Sequence, residues 1–491
     1  MAKITAVIDI GSNSARMAIF KKTSRYGFYL IEERKSRVRI SENSYQNGGY
    51  LQKEAIERAI CALRGFLKIA HEVGARKILC VATSALRDAP NRGEFLALVR
   101  SCLGLNIKII TGEREAFYGA VAALNLLPYD EGVTIDIGGG SSECALIQNG
   151  KIVDLISLDL GTIRLKELFF DKNMPIHEML TFIQGQMQKI PYSFKGKRIF
   201  GIGGTIRALS KAIMEREEYP LSTLHAFEYN VESHQGFFRQ VYEACDTQEL
   251  VDLGISEDRF DNIRGGALIF STLLKHFEAT EIVISGVGVR EGVFLTDALR
   301  NSHFTFPKGF NPSIRSLVDR FSLQDVRTKR LASYALRLFD VLYLLHQVNE
   351  SYRFHLKSAA RLLNIGTALN FYQNHKHGGY FLVNGLNYGF THADRILISM
   401  LVESYGSKKP PNVARYEKVA SLVPSYDVVY WLSIILAIAE ILATYLQNVD
   451  FKYQHGVLVI CTQQDPYLAR EAINKLAIPQ ELQIQVDWLE E

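Results

Sequence analysis

A short turn that occurs twice constrains this chain more than any other feature. The apolar run ITAVIDI stops at Gly11 and gives way to Ser12, Asn13 and Ser14. A second apolar run ends in IDIGGGSSE, residues 135–143, with Gly138, Gly139, Gly140 and Ser141 in the turn. Both runs are short and β-branched, which marks strands, and both end in Asp-Ile-Gly, where the glycine lets the backbone turn sharply and approach a ligand. Successive N–H groups in such a turn point into one concavity that accepts an anion. Asp9 and Asp136 stand at the two strand ends. A carboxylate beside a phosphate is repulsive unless a divalent cation lies between them, and Mg²⁺ prefers one or two carboxylates together with phosphate oxygens and water. Glu143, on the strand after the second turn, can fold back beside Asp136 across a hairpin. Two such nests facing each other would clamp a polyphosphate from both sides.

The rest of the chain gives the two turns matching surroundings. Strand-like runs (4–10, 16–20, 28–33, 77–82, 106–110, 132–137, 143–148, 151–157, 198–202 and 281–285) alternate with helix-length runs (52–73, 90–103, 112–126, 176–189, 204–215, 232–246, 260–278 and 289–300). This is an α/β pattern. Residues 4–40 read as strand, glycine turn, strand, further strands, then a helix, and residues 132–170 repeat that succession, which indicates a duplicated domain with a cleft between the copies. At 491 residues the chain exceeds a single core, and about two to four domains are expected. The expected division is a first α/β domain over 1–126, completed by the 289–300 helix, and a second over 127–302. After NSHFTFPKGFNPS, residues 301–313, the periodicity turns helical, and 314–491 form an all-α unit with a small α/β cap at its end.

Composition excludes some functions without choosing one. A net charge of +4 neither demands nor forbids a polyanionic partner. Basic residues cluster in ERKSRVRI (33–40) and KGKR (195–198), and such runs usually lie on solvated edges or turns. The six cysteines form no CxxC pair and carry no zinc spacing, so they are expected reduced and mostly buried. No basic-then-apolar signal precedes the first strand. The run VVYWLSIILAIAEILATYL (428–446) is long enough to span a bilayer, but Glu440 lies inside it, so a buried helix is expected. A cytoplasmic protein with no membrane and no nucleic-acid partner is the expectation.

IDIGSNSARMAIF and TIDIGGGSSECALI resemble the two phosphate motifs of the sugar-kinase/actin/heat-shock ATPase superfamily. More closely, the chain resembles the exopolyphosphatase/guanosine pentaphosphate phosphatase family, with further agreement in ATSALRDAPN (82–91), TGEREAFYGA (111–120), GIGGTIRALS (201–210), SGVGVREGVFL (285–295), NHKHGGYFLVN (374–384) and GFTHADR (389–395). The resemblance covers most of the chain. It implies two actin-like (ribonuclease H-like) domains flanking a cleft, followed by a helical domain of HD type. It also implies hydrolysis of terminal phosphoanhydrides in inorganic polyphosphate, guanosine pentaphosphate or both, with a divalent cation, and a homodimer. Carried onto these positions, it makes Glu115 the general base and Asp136 and Glu143 the carboxylates on the metal side. Gly138 becomes a backbone phosphate donor and Arg87 a phosphate ligand, with Arg16 and Arg259 as further grips on phosphate or base.

The residues themselves leave alternatives open. Glu115 lies where NIKIITG hands over to a helix and can project into the cleft, but Glu113 is a rival base. HD phosphohydrolases hold metal with a His-Asp pair; here LLNIG places Leu363 and Asn364 where His and an acid belong, so no metal is expected there. His346, His355, His375, His377 and His392 lie nearby. Lys376, Arg395, Lys408 and Lys409 suggest instead a basic wall that guides a long polyanion, or a dimer contact. A kinase of the same superfamily and a non-catalytic polyphosphate or alarmone sensor are the competing functions.

Overall fold

The computed structural model describes residues 4–196, 198–323, 326–405 and 413–488. Its contacts divide it into two units, Met1–Phe310 and Asn311–Glu491.

Two sheets of the same plan build the first unit. In one, β1 (Ile4–Ile10), β2 (Ala15–Lys22) and β3 (Phe28–Ser36) form an antiparallel meander, and β4 (Lys77–Ala82) and β5 (Lys108–Ile109) extend it in parallel beyond β1. In the other, β6 (Gly132–Ile137), β7 (Ser142–Gln148) and β8 (Lys151–Leu158) form the meander. Here β9 (Arg198–Ile202) and β11 (Glu281–Ile284) run parallel beyond β6, and the short β10 (Glu228–Asn230) closes the edge. Strand β1 reads as a near-continuous apolar run because it is buried on both faces: Ala6, Val7, Ile8 and Ile10 are fully inside. The duplication is exact in register. Asp9 lies opposite Arg16 on β2, and Asp136 lies opposite Glu143 on β7.

Two helices cross between the sheets. Helix Gly112–Leu126, which a boundary at 126 gives to the first domain, lays Ala120 and Ala123 against Ala145, Phe200 and Ile202 of the second sheet. Helix Val289–Ala298 packs the other way, with Phe294 stacked on Phe20 of β2 at 4.5 Å. The two helices meet at Gly292, where a Cβ would lie 1.9 Å from the Tyr118 carbonyl oxygen. This close crossing ties the two halves under the cleft. The sequence hides it, because α-helical periodicity says which face is apolar and not which sheet will cover it. Segment 301–310 is packed rather than loose: Phe304 sits edge-on to Phe117, and Phe306 and Phe310 both contact Tyr26.

Helices dominate the second unit, among them Pro312–Arg320, Val326–Val341, Arg353–Leu362, His392–Ser404 and Tyr426–Tyr445. A three-stranded sheet follows, β12 (Asp450–Gln454), β13 (Val457–Thr462) and β14 (Gln483–Trp488), with helix Tyr467–Ile473. Helix Tyr426–Tyr445 is apolar and long enough to cross a membrane, with mean hydropathy 1.9, but 67% of its most apolar stretch is buried in the unit. Its Glu440 is paired with Arg327 at 2.6 Å.

Two histidines of this unit are fixed by hydrogen bonds. His355 Nε2 holds Asp394 Oδ1 at 2.6 Å, and His346 bonds the Phe339 carbonyl and the Val348 N–H. Leu363 is buried. The proposed basic wall needs correction. Arg395 is only 2% exposed and donates to the Val383 carbonyl, because its helix turns it inward; Lys408 and Lys409 lie outside the described residues.

Candidate active site

Identical hydrogen bonds close the two glycine turns: Gly11 N–H donates to the Ser14 carbonyl at 3.1 Å, and Gly138 N–H to the Ser141 carbonyl at 2.9 Å. The turns touch. A Cβ on Gly139 would lie 2.8 Å from Ser12 Cβ, so only glycine lets them approach this closely. Between them opens a cavity of about 160 Å³, walled by Gly11, Ser12, Asn13, Gly138 and Gly139 together with Asp9 and Asp136.

Two helix starts complete the wall. Gly203 and Gly204 begin helix Gly203–Arg216 immediately after β9, and Gly288 precedes helix Val289–Ala298 after β11. Unsatisfied N–H groups and the positive end of the helix dipole make the Gly203 start an anion site, whereas the Gly288 N–H already donates to Glu291 Oε2 at 2.8 Å. Four arginines face the same space: Arg16, Arg207, Arg259 and Arg290. Arg207 is held by the Ser285 carbonyl at 2.9 Å, and Arg290 by Glu33 at 2.6 Å. Arg207, Arg290 and the neighbouring Glu291 were not singled out from the sequence. Their signal was the one that exposed the two turns, a glycine directly after a strand, in GIGGTIR and GVGVRE.

The basic segment 33–40 is not merely a solvated edge. Lys35 and Arg37 pair with Asp258, and Arg39 with Asp261 at 2.8 Å. The first half thereby grips the loop that carries Arg259.

Glu115 reaches the cavity from the first turn of helix Gly112–Leu126. Thr111 caps that helix, and Gly112 allows it to press against β8, since a Cβ there would lie 2.2 Å from Ser157 Cβ. The Glu115 side chain is 12% exposed, with Oε2 3.4 Å from Arg87 Nη1. Glu113 is exposed and outside the cavity wall. Four other expected site residues also stand back from the wall. Arg87 bridges Glu115, the Ile110 carbonyl and Ser141 Oγ. Gly140 gives its carbonyl to Arg164, Ser141 is buried, and Glu143 accepts from Ser157 Oγ at 2.9 Å and is 2% exposed. Gly140, Ser141 and Glu143 lie beside Asp136, in the turn and on the paired strand, without reaching the cavity wall.

Burial without enough positive charge sets the electrostatics. It raises the Asp9 pKa to about 6, against the pull of Arg290 and Arg16 and with a push from Asp136 and Glu291. Burial likewise pushes Glu143 up to about 8 despite its serine hydrogen bonds, and raises Asp136. Glu115 is raised by burial and by Glu143, Asp9 and Asp136, with Arg87 opposing. Asp9 Oδ1 is shielded from solvent and has no hydrogen-bond partner among the described residues. A buried carboxylate oxygen left this way is costly, and a cation or a proton would satisfy it.

A cleft of glycine nests, helix starts and arginines over buried carboxylates is a site for phosphate-bond chemistry. Residues 18–301 match the Ppx/GppA phosphatase family, and residues 311–473 match domain III of the same family. The chain belongs to the Ppx/GppA phosphatase family and is a phosphohydrolase. It is 28% identical over 423 residues to a guanosine-5'-triphosphate,3'-diphosphate pyrophosphatase of Pseudoalteromonas translucida (strain TAC 125), which is 82% of this chain and 81% of the relative. Its fold matches the Aquifex aeolicus member of the Ppx/GppA family with TM-score 0.53 and 29% identity, covering 62% of this chain and 100% of that one. An exopolyphosphatase from Cytophaga hutchinsonii shares the fold, with TM-score 0.56 and 20% identity over 62% of this chain and 100% of that one.

Proposed function

We propose that the chain is a divalent-cation-dependent phosphoanhydride hydrolase that releases the terminal phosphate of inorganic polyphosphate, guanosine pentaphosphate or both. One observation carries this reading: paired nests and four arginines enclose a small cavity with a buried acid, Glu115, at its edge. The similarity to a guanosine-5'-triphosphate,3'-diphosphate pyrophosphatase supports it.

Asp9 and Asp136 fit a divalent cation, given the orphaned Asp9 oxygen and the anionic load on the pair. Mg²⁺ held there would neutralise phosphate charge and draw electron density from the terminal phosphorus. The protein's own groups supply alignment. The nests and the helix start at Gly203 hold phosphate oxygens by backbone N–H donors, and Arg16, Arg207, Arg259 and Arg290 hold them by charge. Glu115 orients a water and accepts its proton, while Arg87 opposes the rise of its pKa and aims the carboxylate. Glu143 braces Asp136 from the paired strand, and Gly140 and Ser141 complete the turn that shapes the second nest.

Free phosphate release from the full chain with Mg²⁺ tests the function. Release from polyphosphate or guanosine pentaphosphate without any acceptor molecule is expected. Binding of both without release would make the protein a sensor, and transfer of the terminal phosphate onto an added acceptor, with none released free, would make it a kinase.

The raised carboxylates predict a second result. Where the folded pKa of an acid exceeds its unfolded value, the folded state holds the extra proton and stability falls as pH rises between the two. For Asp9 that window runs from 3.8 to about 6, and for Glu143 from 4.5 to about 8. In chelator these groups should therefore destabilise the protein progressively up to about pH 8. A cation held by Asp9 and Asp136 replaces the Asp9 proton, so saturating Mg²⁺ should raise the melting temperature by several degrees more at about pH 7 than at about pH 4. An equal Mg²⁺ shift at both values would remove Asp9 from the cation.

A further inference from the structure

The helical unit holds a second cavity, of about 390 Å³, among helices Pro312–Arg320, Val326–Val341 and Arg353–Leu362. Its floor is apolar: Val318, Leu323 and Ala332 are buried and Leu336 is half-buried. Its rim carries Lys329, Lys357 and Arg361. Several other arginines of this unit have carboxylate partners, Arg327 with Glu440, Arg337 with Asp450 at 2.8 Å and, at the pocket's edge, Arg315 with Asp319 at 2.9 Å, and Arg330 and Arg395 donate to carbonyls. Among the described residues, no carboxylate and no hydrogen-bond partner stands beside Lys329, Lys357 or Arg361. Burial and the Arg315 charge hold the Arg361 guanidinium below its usual pKa, as expected of a cation without a counter-charge.

Ordinary surface lysines cover convex faces and need no floor. Here three cations without a partner among the described residues surround an apolar concavity whose volume falls in the range of small-molecule sites. A bare phosphate chain would use the rim and gain nothing from the floor. An apolar ligand would use the floor and leave the cations unpaired. We infer that this pocket binds a phosphorylated ligand of nucleotide size, with its ring on Val318, Ala332 and Leu336 and its phosphates on Lys329, Lys357 and Arg361. Arginine matches phosphate oxygens in bidentate fashion, and the lysines add point charges. The site is built wholly within the helical unit from residues the proposed hydrolysis does not use.

Photolabelling of the full chain with 8-azido-GDP in chelator, followed by peptide mapping, reads the position of binding without relying on turnover. Label is expected in peptides from 312–362 in addition to any in the catalytic cleft. Lys329 and Lys357 are exposed, so Lys329→Glu with Lys357→Glu leaves the core untouched. That double variant should lose about tenfold or more of the helical label, while cleft label and phosphate release stay at wild-type level. Label confined to the cleft, or undiminished in the double variant, overturns the site. Tripolyphosphate that displaces the helical label as effectively as GDP overturns the nucleotide class, because the apolar floor would then contribute nothing.

Discussion

Replacing Glu115 by glutamine is expected to slow phosphate release by about 10²–10⁴-fold while leaving substrate affinity near wild type, the usual cost of losing a positioned general base. The substitution keeps size and hydrogen-bonding reach, so helix Gly112–Leu126 and its contact with β8 should be undisturbed. What disappears is the acceptor for the water's proton. Phosphoryl transfer asks mainly for alignment and charge stabilisation, so the nests and arginines should still bind the substrate. Loss of the charge also frees Arg87 from its 3.4 Å partner, but Arg87 keeps its bond to the Ile110 carbonyl. The measurement is kcat and KM for Glu115→Gln and Glu113→Gln side by side. A Glu115→Gln enzyme within threefold of wild type, with Glu113→Gln inactive, would transfer the role to Glu113 against its exposed position.

The second large effect belongs to a residue with no functional side chain. Gly203 has φ +84°, and a Cβ there would lie 2.2 Å from Asp136 Oδ1 and 3.6 Å from the Ile137 nitrogen. Alanine therefore meets two difficulties, a left-handed backbone that costs about 1–2 kcal/mol and a carboxylate in its way. Asp136 is half-buried in the cavity wall, so its carboxylate must shift there. A misplacement of about 1 Å at such a site can cost ~10²-fold in rate, and that is the expected loss for Gly203→Ala. Gly150→Ala separates the two causes. Gly150 also has positive φ, +70°, in the hairpin between β7 and β8, but nothing lies within 4 Å of its would-be Cβ. It should lose stability and keep its activity and Mg²⁺ dependence. If both variants lose activity alike, backbone strain and not Asp136 is responsible.

Local order along the chain was enough to show the duplicated strand–turn–strand units, the helical second unit, the two nests and Glu115. Each of these depends on neighbours a few residues apart, through alternation, helical period, a glycine after a strand or an acid in a first turn. Arg207, Arg290 and Glu291 lay in motifs visible in the sequence, yet nothing local distinguishes an arginine that faces a cleft from one that faces solvent. Arg16 and Arg259 were named, but the cross-cleft grip of Lys35, Arg37 and Arg39 on Asp258 and Asp261 was not, since the partners are more than two hundred positions apart. Gly140, Ser141 and Glu143 looked equivalent to Gly138, Gly139 and Asp136 in the sequence. Only packing against β8 and Arg164 set them back from the wall. The sequence by itself thus determined which groups the chain offers: two glycine turns, acids at strand ends and an acid in the first turn of a helix. Tertiary structure alone decided which of those groups share one cavity. The physical reason is that burial, charge coupling and van der Waals contact act over a few ångströms between segments from Asp9 to Glu291, and those distances are set by how the two crossing helices bring the sheets together.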